Sequence, residues 1–218
     1  MIAGEIVSGG GQADAAQVDA TDAGRVEAHL ASVVDRAGGV DISFNMSGIA
    51  DVQGQELVDM TLEDYMRPID LGARTQFITA TTAARHMTGR GRRGHIGDYG
   101  RACATRDAAR WRLGTACSAI EGMLRTLAAE VGRQASVCVG SDRPAHPKRG
   151  CRKRRSTLTV QPTGLAGTDY LEVLREDTLL TRFPNLAEVG EAAALVASDR
   201  ASAVTGAAAN ITCGQFAD

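Results

Sequence analysis

Residues 40–49 constrain the fold of this chain more than any other stretch. Residues 40–44 include Val, Ile and Phe, which favour a β-strand, and the residues after them form a polar turn that ends at Gly48. In open α/β sheets, ligands bind just outside the carboxyl ends of the strands. We therefore predict a buried central strand over residues 40–44 and a small-molecule site at the turn from Asn45 to Gly48.

The rest of the chain alternates helical and strand patterns. Apolar residues at steps of three and four predict helices over residues 2–7, 23–36, 61–88, 113–132, 171–180 and 186–196. Shorter apolar runs predict strands over residues 16–20, 40–44, 95–99, 137–139 and 208–212. This alternation predicts one α/β domain over residues 1–218, with a parallel sheet and helices on both of its faces.

The pattern over residues 61–88 is the longest helical signal. Thr61 is placed to cap the amino end of this helix, and Pro68 is expected either to start the helix or to bend it. The apolar and small residues that define its predicted buried face are Leu62, Met66, Ile69, Ala73, Phe77, Ala80, Ala84 and Met87.

A glycine cluster at residues 9–11 has two interpretations. A phosphate-binding loop requires a strand before the glycines and a helix directly after them. Here a helical pattern precedes the cluster and no helix follows it at once, so we predict the cap and turn that end a helix.

Composition excludes several classes of protein. The 218 residues carry a net charge of −2 and contain no apolar run long enough to span a membrane. No signal peptide is evident, so we expect a cytoplasmic protein. The five cysteines form no C-x-x-C pair, which predicts thiols rather than a metal site.

Three passages then point to a known family. Residues 18–22 read V-D-A-T-D, residues 40–49 read V-D-I-S-F-N-M-S-G-I, and the passage from Leu180 to Asn210 includes R-F-P, L-V-A-S-D and V-T-G in that order. Together they resemble the short-chain dehydrogenase/reductase family, which has a Rossmann-type fold. In that resemblance the first strand–helix–strand unit would precede Met1 and is absent from this sequence.

The resemblance implies NAD or NADP as cofactor and an alcohol or ketone as substrate. Asp19 corresponds to the family's contact with the adenine ring, and Asn45, Ser47 and Gly48 correspond to the turn beside the adenosine. Two of these residues have a structural alternative as well. Asn45 is able to connect neighbouring strands through side-chain hydrogen bonds, and Asp19 is placed to form a plain turn or to neighbour a helix cap.

The family's catalytic groups are not matched in this sequence. Its helix asparagine corresponds to Gly72, its serine falls near Gly100 or Arg101, and its Tyr-x-x-x-Lys pair corresponds to Leu113 and Cys117. A positioned general acid contributes roughly 10²–10⁴-fold to such reactions. We therefore expect weak activity or none, and the catalytic residues stay unassigned.

Other functions remain open. The helices over residues 61–88 and 113–132 correspond to the family's dimerisation helices, which predicts a non-catalytic protein that acts as a homodimer or tetramer. The basic run at residues 143–155 is able to attract nucleic acid or another polyanion, although a solvated loop is the simpler reading. A serine hydrolase would need Ser47 paired with one of the four histidines, and no G-x-S-x-G motif is present.

Two segments depart from the composition of their neighbours. Residues 99–112 are rich in Arg, residues 140–168 are rich in Arg and Pro, and both lysines of the chain lie in the second segment. We predict that residues 140–168 form an irregular basic loop. A shifted reading frame in both segments is one explanation, which resequencing of the gene tests.

Overall fold

In the described part of the chain, the sheet consists of four parallel strands that follow one another in chain order. They are β1 (Ile42–Asn45), β2 (Gly94–Arg101), β3 (Ala135–Asp142) and β4 (Ala207–Ile211). This computed structural model describes residues 2–47, 56–90, 94–101, 111–133, 135–142, 175–176 and 178–214. The predicted Rossmann-like α/β fold is confirmed, because helices connect consecutive parallel strands.

Five helices whose bounds lie within the described residues accompany the sheet. They are α1 (Ile2–Ser8), α2 (Ala23–Ala37), α3 (Leu62–Gly89), α4 (Trp111–Val131) and α5 (Leu186–Val196). Three of these helices begin at a side chain that accepts a backbone N–H: Asp22 caps α2, Thr61 caps α3, and Asn185 caps α5. The sequence prediction is therefore confirmed for these helices to within one or two residues at most ends.

The core lies where α3 and α4 pack against each other and against β2 and β3. Its buried members are Ala80, Ala83, Ala84, Met87, Ile96, Ile120, Leu124, Leu127 and Ala128. Alanines make up nearly half of this set, which allows the two helices to approach the sheet and each other closely.

The strand predicted over residues 16–20 is wrong. Residues 11–19 carry no helix and no strand, although they lie well within the described part of the chain. The physical reason is pairing: a β-strand exists only beside a neighbour that accepts and donates its ladder of hydrogen bonds, and β1 pairs with β2 instead. The segment is held by a contact between Asp14 and Arg36 at the end of α2.

β1 is also not the buried central strand that the sequence predicts. It is an edge strand in the described part of the sheet, and only Asn45 among its residues is buried. Side chains alternate between the two faces of a strand, so Ile42 and Phe44 point away from the face that carries Asn45. Both are substantially exposed.

The predicted buried face of α3 is correct in the second half of the helix and wrong in the first half. Ala80, Ala84 and Met87 are buried, whereas Leu62, Met66 and Phe77 are exposed. In the first half the buried positions are Pro68, Gly72, Thr75 and Gln76. The buried face of the first half of α3 therefore consists of small and polar residues instead of the predicted apolar ones. Pro68 lies in the second turn of α3 rather than at its start.

Several predicted boundaries change. β3 extends to Asp142, so residues 140–142 of the predicted irregular loop belong to a strand, and residues 143–168 lie outside the described residues together with the basic run. β2 includes residues 99–101, and α4 includes residues 111–112. The helix predicted over residues 171–180 does not include residues 178–180, where the Thr178 hydroxyl accepts the N–H of Arg182 in a turn.

Two methionines of α3 provide a matched test of this packing. Met87 is almost fully buried and Met66 is well exposed. We expect Met87→Ala to lower the free energy of unfolding by about 2–5 kcal/mol, because it leaves a cavity in the core. Met66→Ala is expected to change it by less than about 1 kcal/mol. Urea denaturation of both variants measures the difference, and equal losses would contradict the assigned core.

Candidate functional site

The candidate site lies at the carboxyl ends of the parallel strands, which meet at one edge of the sheet. β1 ends at Asn45, and Met46 and Ser47 follow it at that edge. Of the predicted site residues, Asn45 and Ser47 are therefore brought together, Asp19 lies in the segment before α2, and Gly48 lies outside the described residues.

The buried amide of Asn45 connects β1 to α3. Its Nδ2 donates to the Thr75 carbonyl at 3.3 Å and to Thr79 Oγ1 at 2.8 Å. The Thr79 hydroxyl in turn donates to the Thr75 carbonyl at 2.8 Å. A buried donor without a partner costs about 1–3 kcal/mol, so this bonded arrangement fixes both the side chain and the helix that faces it.

The other side of the same amide fixes the turn. Asn45 Oδ1 accepts the backbone N–H of Ser47 at 2.8 Å, while the Ser47 side chain is exposed. Donors and acceptor of Asn45 are thus engaged within the protein. Asn45 thus has a structural role, but its amide connects the strand to a helix and a turn and not to a neighbouring strand as predicted. Any contact with a ligand at this turn would involve Ser47 and its neighbours rather than the Asn45 amide.

Asp19 organises the entry into α2. Its Oδ1 accepts the N–H of Thr21 at 2.9 Å and the Thr21 hydroxyl at 2.7 Å. The hydroxyl bond of Thr21, followed by its backbone N–H, lowers the pKa of the Asp19 carboxyl. The backbone carbonyl of Asp19 accepts the N–H of Asp22, and Asp22 caps α2. Asp19 therefore has the turn role that the sequence offered as its alternative, with its side chain exposed.

The glycine cluster is a helix cap and not a phosphate loop. The N–H groups of Gly9, Gly10 and Gly11 donate to carbonyls of the last turns of α1, at 3.0–3.1 Å. A phosphate loop must keep such N–H groups available to the anion. The cap interpretation is confirmed, and Gly10 adopts the left-handed conformation that is usual there.

The positions that correspond to catalytic residues lie in the elements where the family comparison predicts them. Gly72 is buried within α3, Gly100 and Arg101 end β2, and Leu113 and Cys117 lie in the first half of α4. Cys117 is buried. Gly72 and Leu113 carry no group that transfers a proton.

The hydrolase alternative gains no support from the histidines that the structure describes. His86 Nε2 accepts the N–H of Val40 at 3.4 Å, at the amino end of β1, whereas Ser47 lies beyond its carboxyl end. Among the described residues, no group of three His, Cys, Asp or Glu side chains is arranged to hold a metal ion. Within the same residues, no helix is long and apolar enough to cross a membrane.

Sequence reasoning missed the two threonines that hold Asn45. Thr75 and Thr79 lie on the side of α3 that was not predicted to be buried, because attention to apolar residues alone selects a different face. A signal was present, since threonines four residues apart lie on the same side of a helix.

A double-mutant cycle tests the connection between β1 and α3. We expect Asn45→Ala to lower the free energy of unfolding by about 1–3 kcal/mol. Because the Asn45 and Thr79 side chains share a bond, Asn45→Ala and Thr79→Ala should show a coupling of about 0.5–1.5 kcal/mol. Thr81→Ala is the control, since the Thr81 hydroxyl bonds only within its own helix. If the Asn45→Ala and Thr79→Ala effects on the free energy of unfolding were additive, the hydrogen bond between the two side chains would be contradicted.

The Asp19 turn predicts a pH dependence. The pKa of Asp19 is lowered, so its contribution to stability is present above its ordinary value of 3.8 and is lost as the pH falls through the lowered value. Thr21→Ala removes the hydroxyl donor and is expected to raise the Asp19 pKa towards 3.8, while Thr21→Ser retains the donor and leaves it low. Carboxyl ¹³C NMR titration measures the Asp19 pKa in both variants. An unchanged Asp19 pKa in Thr21→Ala would show that the Thr21 hydroxyl is not the cause of the lowered value.

Comparison with known proteins places this geometry in context. Residues 3–138 match the sequence model of a family described as enoyl-(acyl carrier protein) reductase. An L-rhamnose 1-dehydrogenase (NAD(P)(+)) from Azotobacter vinelandii is 34% identical over 95 residues, which are 44% of this chain and 36% of that protein. The chain thus spans little more than a third of the length of this relative.

Solved structures share the fold over almost the whole chain. A short-chain type dehydrogenase/reductase from Mycobacterium marinum has a TM-score of 0.83 and 26% identity, and the match covers 100% of this chain and 81% of that one. A short-chain dehydrogenase from Burkholderia cenocepacia J2315 in complex with NADP has a TM-score of 0.79 and 24% identity, with 99% and 82% covered. The family match extends over more than half of the chain, and the chain belongs to the short-chain dehydrogenase/reductase family.

Proposed function

We propose that this chain acts as an NAD(P)-linked short-chain oxidoreductase that interconverts an alcohol and a ketone. The observation that carries the proposal is the turn from Asn45 to Ser47, which the Asn45 amide holds rigidly at the carboxyl end of β1. That edge is where open α/β sheets bind their ligands. The curated relative uses NAD(P)(+), and one solved neighbour holds NADP, which supports a nicotinamide cofactor for this chain too.

The described residues fit such a cofactor only in part. Asp19 and Ser47 present exposed side chains that are able to contact an adenosine, as the family resemblance implies. The N–H groups of Gly9, Gly10 and Gly11 are engaged within α1 and its cap, so they do not supply a site for the pyrophosphate. No other glycine-rich turn before a helix lies within the described ranges. Among the described residues, two side chains are therefore candidates to contact the adenosine, and no group is a candidate to bind the pyrophosphate.

The chemistry of the bound cofactor would be transfer of a hydride. This chain would have to hold the substrate and manage the accompanying proton, yet Gly72 and Leu113 have no ionisable group, and the Cys117 thiol is buried. A missing general acid lowers the rate by roughly 10²–10⁴-fold. We therefore propose that the chain binds its cofactor more readily than it turns over a substrate.

Calorimetric titration with NADPH and NADH tests the proposal. We expect detectable binding of at least one of the two, in the millimolar to micromolar range, which corresponds to about 4–8 kcal/mol. Asp19→Asn should weaken binding by about three- to tenfold if its carboxylate contacts the adenosine. Asp35→Asn, at the far end of α2, is the matched control and should leave binding unchanged.

The two variants also separate the possible outcomes. Equal binding by Asp19→Asn and the parent chain would remove Asp19 from the site while leaving the function in place. No heat of binding for either nucleotide at about 5 mM would contradict a cofactor site in this chain, because that concentration exceeds a millimolar Kd severalfold.

A second candidate function is self-association through α3 and α4. Leu62, Met66 and Phe77 fall on one side of α3, and Leu62 and Phe77 are 76% and 53% exposed. Apolar side chains aligned along an exposed helix face mark an interaction surface. A protein that acts through this surface would not need the missing catalytic groups.

Sedimentation measures this association directly. We expect the parent chain to form a homodimer or tetramer at micromolar concentration and Phe77→Glu to shift it to monomer, because a charge in the interface must be desolvated. Val58→Glu is the control, since Val58 is also an exposed apolar residue but lies in the turn before α3. A monomeric parent chain would contradict this candidate.

A further inference from the structure

We propose that the His86 side chain is a proton-sensitive latch between α3 and β1. Near neutral pH its ring holds the segment just before β1 through the Val40 N–H, and in mild acid it releases that segment. We call this contact the His86 latch. The latch rests on the contacts of the ring alone, whereas its effect on a ligand at the turn from Asn45 to Ser47 rests also on the proposed function.

The contacts of the His86 ring select one form of the imidazole. Its Nε2 lies 3.4 Å from the backbone nitrogen of Val40 and 3.5 Å from Arg90 Nη1. A backbone N–H and a guanidinium donate hydrogen bonds and do not accept them. Nε2 must therefore be the acceptor, which requires a neutral ring with its proton on Nδ1.

A second proton on the ring removes this acceptor. Both nitrogens of an imidazolium are donors, so Nε2 would then face the N–H of Val40 donor to donor. Val40 is partly buried and packs against the core. A backbone N–H that loses its partner in such a place is unfavourable, so the ring and the Val40 segment are expected to separate.

The Arg90 guanidinium adds to this effect. It lies against the turn before β1, because a Cβ built on Gly39 would collide with Arg90 Nη1. A cation on the His86 ring would be repelled by this neighbour. Arg90 is exposed, so water and salt screen the repulsion, and the lost hydrogen bond is the larger of the two effects.

The elements around His86 carry other charges that bear on the same proton. Their charged and titratable groups are Arg85 on α3, Glu27, His29 and Arg36 on α2, Asp41 before β1, and His95 in β2. Glu27 pairs with Arg85 at 3.8 Å, and Arg36 contacts Asp14. The Asp41 side chain is exposed, so its attraction for an imidazolium is screened in the same way as the repulsion from Arg90.

The latch lies at the opposite end of β1 from the candidate site. β1 is four residues long, and side-chain bonds join it to α3 at its last residue and just before its first. Release of the Val40 segment leaves the Asn45 amide to hold the strand on the helix. A strand that is ordered for less of the time presents its turn less often in the binding form, which lowers the apparent affinity for a ligand there.

Side-chain ¹⁵N NMR and amide hydrogen exchange test the latch in the complete 218-residue chain. At about pH 7.5 we expect the His86 ring to be neutral with its proton on Nδ1. At about pH 5 the ring should carry a second proton. The protection factor of the Val40 amide, corrected for the intrinsic effect of pH on exchange, should then be about tenfold lower than at about pH 7.5.

Matched variants assign the pH response to His86. His86→Gln supplies a carbonyl oxygen that accepts an N–H at either pH, so the fall in Val40 protection should shrink to less than about twofold. Arg90→Gln removes the nearby cation and should reduce the fall only in part, to about fivefold. His29→Gln removes a half-buried histidine of α2 and should leave the fall unchanged. Circular dichroism checks that the variants fold, and the NMR result on the parent chain does not depend on them.

Four results would overturn the latch. They are an Nε2–H tautomer at about pH 7.5, a ring that stays neutral at about pH 5, a protonated ring that leaves Val40 protection unchanged, and a His86→Gln variant that loses as much protection as the parent chain.

Calorimetric titration with NADP⁺ and NAD⁺ at both pH values tests the effect on the turn. We expect the parent chain to bind about threefold more weakly at about pH 5, and His86→Gln to show less of this change. Comparison of the two chains cancels any titration of the nucleotide, and the lowered pKa of Asp19 keeps its carboxylate ionised in this range. An equal change in both chains would contradict the effect on the turn. No binding of either nucleotide at about pH 7.5 would contradict the proposed function, while the NMR measurements still decide the latch.

Discussion

The amide of Asn45 is the interaction on which the arrangement of this fold depends. A single side chain at the end of β1 bonds to the Thr75 carbonyl, the Thr79 hydroxyl and the Ser47 N–H, and so fixes a strand, a helix and a turn relative to one another. A one-residue shift of β1 would turn this amide to the opposite face of the sheet and break its bonds to Thr79 Oγ1 and the Thr75 carbonyl. The register of an edge strand is thereby fixed by a helix rather than by a second neighbouring strand.

The same interaction limits what Asn45 is able to do for a ligand. Its polar atoms are engaged within the protein, so the turn that it holds, and not the amide itself, presents groups to a bound molecule. Asp19 follows the same rule, because its carboxylate bonds to Thr21 and its carbonyl to the cap of α2. Both side chains hold the backbone of their turns in place. They would therefore affect a bound cofactor by positioning that backbone.

The sequence predicts this fold well where a pattern is local and poorly where it depends on neighbours. The helices that carry their own caps, such as α2 with Asp22 and α5 with Asn185, are predicted closely, since a cap and an apolar period lie within one stretch of chain. Residues 16–20 have the composition of a strand, yet strand formation requires a partner that no local pattern reveals. The buried face of α3 was misassigned for a related reason, because α4 and the sheet select Gly72 and Thr75 through close approach rather than hydrophobicity.

The amino end of β1 is bonded to α3 as well, through the Val40 N–H and the His86 ring at 3.4 Å. One helix therefore contacts this short strand just before its first residue and at its last residue, across sequence separations of 46 and 34 residues. Local opening of β1 requires both contacts to break, and the contact at each end keeps the other in place. We consequently expect β1 and α3 to unfold as one cooperative unit, a foldon that joins the shortest described strand of the sheet to the longest described helix.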